Sequence, residues 1–110
     1  MSLSTHVLDS VHGRPASGVG VAVRRVEPGG ASEVIAEART DPDGRVAALV
    51  TELGAGTYQL TFDTAGYFAA TGQQGFYPEV VVTFTVADPA RHHHVPLLLS
   101  PYAYSTYLGS

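Results

Sequence analysis

An all-β sandwich with one short helix is what this 110-residue chain predicts, and three observations carry the prediction. Apolar and polar residues alternate with a period of two along most of the chain, as they do in strands with one face in a core. Clusters of Gly, Pro, Asp and Ser interrupt that alternation at spacings of roughly ten residues, the rhythm of a sandwich. Only one stretch departs from the period of two.

The elements follow in order. In "THVLD" (5–9), Thr5, Val7 and Asp9 share one face and His6 and Leu8 the other. "VGVAV" (19–23) puts Val19, Val21 and Val23 together, and "TYQLTFD" (57–63) does the same with Tyr58, Leu60 and Phe62. "EVVVTFTV" (79–86) aligns Val80, Val82, Phe84 and Val86. From 92 to 100, His93, Val95, Leu97 and Leu99 form a core face, leaving His92, His94, Pro96, Leu98 and Ser100 outward. The turns fall at "HGRPASG" (12–18), "EPGG" (27–30), "DPDG" (41–44), "GAG" (54–56) and "ADPA" (87–90). "DPDG" sets Arg45 at the mouth of a strand. The helical stretch is "TAGYFAATGQ" (64–73), with Thr64 as expected N-cap and Gly72 as terminator. Tyr102, Tyr104 and Tyr107 suit packing and an edge strand.

Composition excludes several function classes. The length suits a single domain over 1–110. No cysteine is present, so neither disulfides nor a thiolate metal site can form, and a reducing compartment is compatible. Six Lys and Arg against ten Asp and Glu give a formal charge of −4, with no basic run to follow a phosphate backbone. No nucleic acid partner is expected. The start, "MSLSTHVLDS", lacks the basic and apolar segments of a signal peptide, and no apolar stretch approaches the ~20 residues of a membrane span. The expectation is a soluble cytoplasmic protein.

The histidines carry the chemistry. His92 and His94, two residues apart on one face, can bring two imidazoles to one small volume, as general acid and base or as metal ligands. His93 faces the core and reads as structural. An outward face that mixes histidines with Leu98, and with Leu8 beside His6, suits a surface covered by another subunit.

The blocks "THVLD", "GRPA" (13–16), "DPDGR" (41–45), "GYFAATGQQGFYPEVVVTF" (66–84) and "HHHVPLLLSPYAYSTYLGS" (92–110) together resemble the 5-hydroxyisourate hydrolases, the transthyretin-like proteins of purine breakdown. The hormone carrier transthyretin shares the "LLSPY" and "YST" words but lacks the histidines and the C-terminal tetrapeptide. The resemblance implies a transthyretin/prealbumin-like sandwich of two four-stranded sheets with one short helix. It implies a homotetramer whose interface channel holds the active sites, with no metal and no other cofactor. His6, Arg45 and His94 match the family's core catalytic residues and His92 a further active-site histidine. Ser110 matches the terminal serine that lines the site, and Tyr107 lies nearby in the same tail. The implied reaction opens 5-hydroxyisourate to 2-oxo-4-hydroxy-4-carboxy-5-ureidoimidazoline. One position departs from the pattern: the family's terminal Tyr-Arg-Gly-Ser has Leu108 in place of arginine.

The side chains suit that chemistry. A neutral histidine can deprotonate water as it adds to a ring carbonyl, and the Arg45 guanidinium can fork onto the ring's oxygens and oppose the charge developing there. No serine has an evident base and orienter, which favours direct water attack over an acyl-enzyme. Both His6 and His94 are candidates for the base. Two alternatives stay open: a transthyretin-like binder of small ligands without catalysis, and a zinc hydrolase using His6, His92 and His94 as nitrogen ligands.

Overall fold

A computed structural model describes residues 2–110. Its strands are β1 (Leu3–Asp9), β2 (Arg14–Pro15), β3 (Gly20–Glu27), β4 (Gly30–Arg39), β5 (Arg45–Val50) and β6 (Gly56–Phe62). The single helix, α1 (Thr64–Ala70), is followed by β7 (Val80–Val86), β8 (His93–Ser100) and β9 (Ala103–Thr106). One sheet has the antiparallel order β4-β3-β6-β7. The other has β1 at its centre, parallel to β8, which pairs in turn with β9. On its second edge β1 pairs with β5 through Leu3, Thr5 and His6, and with β2 through Leu8 and Asp9. The expected pair of four-stranded sheets is therefore present, with two-residue β2 as a fifth strand in one of them.

The alternation places the core as expected. Leu3, Val7, Leu97 and Leu99 from one sheet meet Val21, Val23, Leu60 and Phe62 from the other, all but excluded from solvent. Each such side chain contributes about 1.5–3 kcal/mol relative to leaving it in water. Thr5 lies on this inner face because its hydroxyl donates to the Val95 carbonyl at 2.7 Å. Leu8 and Leu98, expected outward, are half-buried. Among the exposed apolar side chains, Phe76, Tyr102, Tyr104, Tyr107 and Leu108 gather near β9 and the tail, while Val11, Val34, Ile35 and Val81 lie elsewhere.

The helix is capped one residue earlier than expected. Asp63 is the N-cap and its carboxylate accepts the Gly66 N–H at 3.0 Å, while Thr64 begins the helix and gives its hydroxyl to the Tyr77 carbonyl. Gly72, at φ +69°, ends it as expected.

Tyr67 ties this helix to the core. Its hydroxyl donates to the Asp9 carboxylate at 2.7 Å, and the same carboxylate accepts the His12 ring and backbone N–H groups. Burial alone would push the Asp9 carboxyl up, but the His12 and Tyr67 hydrogen bonds outweigh it and hold the group at about 2, against 3.8. A carboxylate whose pKa is depressed by folding stabilises above its unfolded value, and that contribution is lost as pH falls from 3.8 toward 2. Tyr67→Phe removes one of the bonds. It should cost about 1.5–3 kcal/mol near neutrality, with the deficit shrinking as Asp9 protonates. Urea midpoints measured from pH 7 down to pH 2 test this, and a deficit that stays constant across the range would contradict it.

Candidate active site

Three adjacent strands bring the expected residues to one outer face. In the parallel register of β1 and β8, Ser4 lies opposite His94 and His6 opposite Pro96. In the antiparallel register of β1 and β5, His6 lies opposite Arg45. His92 directly precedes β8. The "DPDGR" turn sets the arginine's position: the Asp41 carboxylate accepts the backbone N–H groups of Asp43 and Arg45, both at 2.9 Å. Gly44 takes φ +75° there, and its carbonyl accepts the Val7 N–H, so the turn packs onto the middle of β1. A side chain at Gly44 would run into the Val7 carbonyl and Pro15.

Ser4, Thr5, Arg45, Ala47, His92, His94 and Ser110 line a cavity of about 250 Å³. The small side chain of Ala47 leaves room between the arginine and the imidazoles. A hollow of about 620 Å³ on the other sheet, around Arg24, Glu37, Arg39, Asp63 and Glu79, contains no histidine.

The imidazoles are joined by hydroxyls. Ser4 Oγ lies 2.7 Å from His94 Nδ1 and 2.8 Å from His92 Nε2, and Ser2 Oγ lies 2.5 Å from His92 Nδ1. His6 Nε2 is buried and has no hydrogen-bond partner among the described residues. Burial lowers the pKa of His94, and the Arg45 charge beside it lowers it further. His94 is thereby held neutral near pH 7, with Nδ1 occupied by Ser4 and Nε2 left to act on a ligand.

The C-terminal tail completes the cavity. Gly109 pairs with His94, its N–H donating to the His94 carbonyl at 2.8 Å. A Cβ at Gly109 would stand 2.6 Å from His94 Cδ2, so only glycine lets the tail cross this ring. Ser110 then enters the cavity. Tyr107 does not: with Leu108 it lines a separate space of about 410 Å³ beside Val82, Phe84 and Val95. His93 is buried, its Nδ1 3.0 Å from the Arg91 carbonyl, in keeping with a structural role.

Ser4 and Ser2 are the residues that sequence reasoning missed. Ser4 sits two positions before His6 and so shares its face, a signal that was readable. Its pairing opposite His94 depends on a contact ninety residues away in the chain, which no local pattern reveals. For the three-histidine zinc alternative, among the described residues no group of three or more His, Cys, Asp or Glu is placed to hold a metal ion. Both ring nitrogens of His92 are instead engaged by serines.

A two-sheet sandwich carrying an arginine and linked imidazoles on its outer face defines a transthyretin-like protein equipped for acid–base work. Comparison with known proteins agrees. A sequence model described as the HIUase/Transthyretin family matches residues 3–109, and the chain belongs to that family. A Deinococcus radiodurans protein named 5-hydroxyisourate hydrolase is 46% identical over 114 residues, spanning 98% of this chain and 95% of that protein. The structure of Klebsiella pneumoniae 5-hydroxyisourate hydrolase superposes with a TM-score of 0.88 at 37% identity, each chain covered in full. Sea bream transthyretin in complex with thyroxine superposes with a TM-score of 0.92 at 34% identity, over 99% of this chain and 95% of that one. Backbone shape alone does not separate hydrolase from carrier; the side chains in the cavity bear on that choice. Among the described residues no helix is long and apolar enough to cross a membrane.

Proposed function

We propose that this chain hydrolyses 5-hydroxyisourate at the cavity between β1, β5, β8 and the C-terminal tail, and that it works in the cytoplasm without a metal. The observation that carries the reading is a histidine held neutral beside an arginine: burial, with the Arg45 charge next to it, keeps His94 unprotonated. Arg45 lines the same space and supplies a positive charge to it.

Water adds to the ring carbonyl next to the scissile C–N bond as its proton passes to His94 Nε2. Negative charge gathers on the carbonyl oxygen, where the Arg45 guanidinium opposes it. Collapse of the tetrahedral adduct breaks the C–N bond, the ring nitrogen takes the proton from His94, and the new carboxylic acid loses its own proton to solvent. Ser110 presents its hydroxyl to the substrate's polar edge. His6, paired across the strands with Arg45 but outside the cavity lining, keeps a buried Nε2 that gains a partner only if substrate reaches it, since a buried polar atom left unpaired is costly. The relatives named hydrolase support the choice of substrate.

The assembly proposed is a homotetramer. Phe76, Tyr102, Tyr104, Tyr107 and Leu108 are each 41% exposed or more, beside the four-residue edge strand β9. A lone chain would leave both this patch and the strand's unpaired edge in water. Light scattering checks this, and a fully active monomer would reject it. For the reaction, the test is the ultraviolet decay of freshly generated 5-hydroxyisourate with and without the protein. Decay accelerated in proportion to enzyme supports the reading. Saturable binding of a thyroxine-like ligand with decay unchanged would make the protein a carrier.

A further inference from the structure

We propose that Ser4 is a positioning residue that selects the working tautomer of His94. The inference rests on the hydrolytic reading of the cavity, and its physical basis is the proton inventory of one hydroxyl. Ser4 Oγ stands within 2.7 Å of His94 Nδ1 and 2.8 Å of His92 Nε2, yet a hydroxyl has a single proton to give. It therefore donates to one ring and accepts from the other. With both rings neutral, only two proton arrangements satisfy the whole chain from Ser2 to His94.

In the first, His94 Nδ1–H donates to Ser4, Ser4 O–H donates to His92 Nε2, and His92 Nδ1–H donates to Ser2. His94 Nε2 then carries a lone pair and can take a proton from water. In the second, every bond reverses and His94 Nε2 carries hydrogen, so it cannot act as a base. A free histidine ring favours the Nε2–H form, the inert one here. Ser4, 7% exposed and bonded to both rings, gives the protein a means to hold the other.

Charge favours the first arrangement. Arg45 from β5 places a positive charge beside His94. A lone pair on the cavity side of the ring is favoured in that field over an N–H dipole. Ser2 ends the chain, so the proton order of His92 also depends on a hydroxyl outside the cavity lining. Neither serine acts on substrate in this scheme: each acts through a ring.

Nitrogen-15 NMR of the full-length, histidine-labelled protein at pH 7.5 reads the tautomer directly. The expected result is His94 as the Nδ1–H form, shifting toward the Nε2–H form in Ser4→Ala. Ser4→Thr, which keeps the hydroxyl, should retain the wild-type form. In turnover, Ser4→Ala should lower kcat by at least about tenfold with KM little changed, and Ser4→Thr should restore most of it. Wild-type His94 found in the Nε2–H form would overturn the proposal, as would an unchanged tautomer in Ser4→Ala. The spectrum of the unmodified protein decides even if a variant folds poorly. Because the tautomer is read without substrate, failure of the hydrolysis assay leaves this result standing on its own.

Discussion

Replacing His94 by alanine should lower kcat/KM for 5-hydroxyisourate by at least about 10²-fold, the scale of losing a general base. His6→Ala should fall in the same range if its buried Nε2 meets the substrate, because Arg45 lies directly across the strand pair from it. Exhaustive chelation should leave wild-type activity intact, since the imidazoles of His92 and His94 hydrogen-bond to serines. His93→Gln should act mainly on stability, as that ring is buried on the opposite face with its Nδ1 at a backbone carbonyl. Steady-state kinetics on metal-free protein read all four. Recovery of activity only on adding zinc would replace the general-base account with the metal alternative, and a His94→Ala enzyme at wild-type speed would remove His94 from the chemistry.

The tail should be nearly as sensitive, and at one residue above all. Gly109→Ala would bring a methyl group to 2.6 Å from His94 Cδ2. Real contacts never come so close, so either the ring turns or the tail lifts, and both separate Ser110 from His94. A loss of about tenfold or more in kcat/KM is expected, about 1.4 kcal/mol or more of transition-state stabilisation, and deleting Tyr107 to Ser110 should cost more. Leu108→Arg should change kcat/KM by less than about fivefold, under ~1 kcal/mol. Leu108 lines a space with Val82 and Val95 that is separate from His92 and His94, which suits an anchor for the tail. Arg45 already provides a cation at the cavity, and burying a second one carries a desolvation cost. A tenfold gain from the single arginine would show that the site is incomplete without it. An unimpaired Gly109→Ala enzyme would show that the tail does not hold the ring.

Much of this site was legible before any coordinates, because strand parity is a local property. The alternation in "THVLD" and "HHHVPLLLS" assigned His6, His92 and His94 to outward faces, and the buried set Val7, Val95, Leu97 and Leu99 follows the same parity. "DPDGR" announced a turn whose aspartate folds back on the backbone ahead of Arg45, and it does. What stayed hidden was long-range or weakly patterned. The parallel pairing of β1 with β8 sets Ser4 against His94 and cannot be read from either segment alone. β4 escaped notice because it is an edge strand with no fully buried residue, so its alternation has little to enforce it. Asp63 and Thr64 both suit an N-cap, and the choice fell to the residue whose carboxylate meets the Gly66 N–H, leaving Thr64 to bond Tyr77. Tyr107 was placed with the site through its nearness to Ser110 in sequence, yet the tail reaches the imidazoles only at Gly109 and Ser110.

The claim at the centre of the account is that a neutral His94, kept so by burial and by the charge of Arg45, activates water. The pH profile of kcat/KM tests it most directly, measured on metal-free enzyme between pH 5 and pH 8.5 with the spontaneous decay of substrate subtracted. A histidine whose pKa is lowered by its surroundings stays unprotonated below the usual 6.5. The account therefore predicts an acid limb centred below pH 6.5 that levels off at higher pH, with Ser4→Ala lowering the plateau. An acid limb centred above pH 6.5, or activity that rises as the solution is acidified, would contradict it.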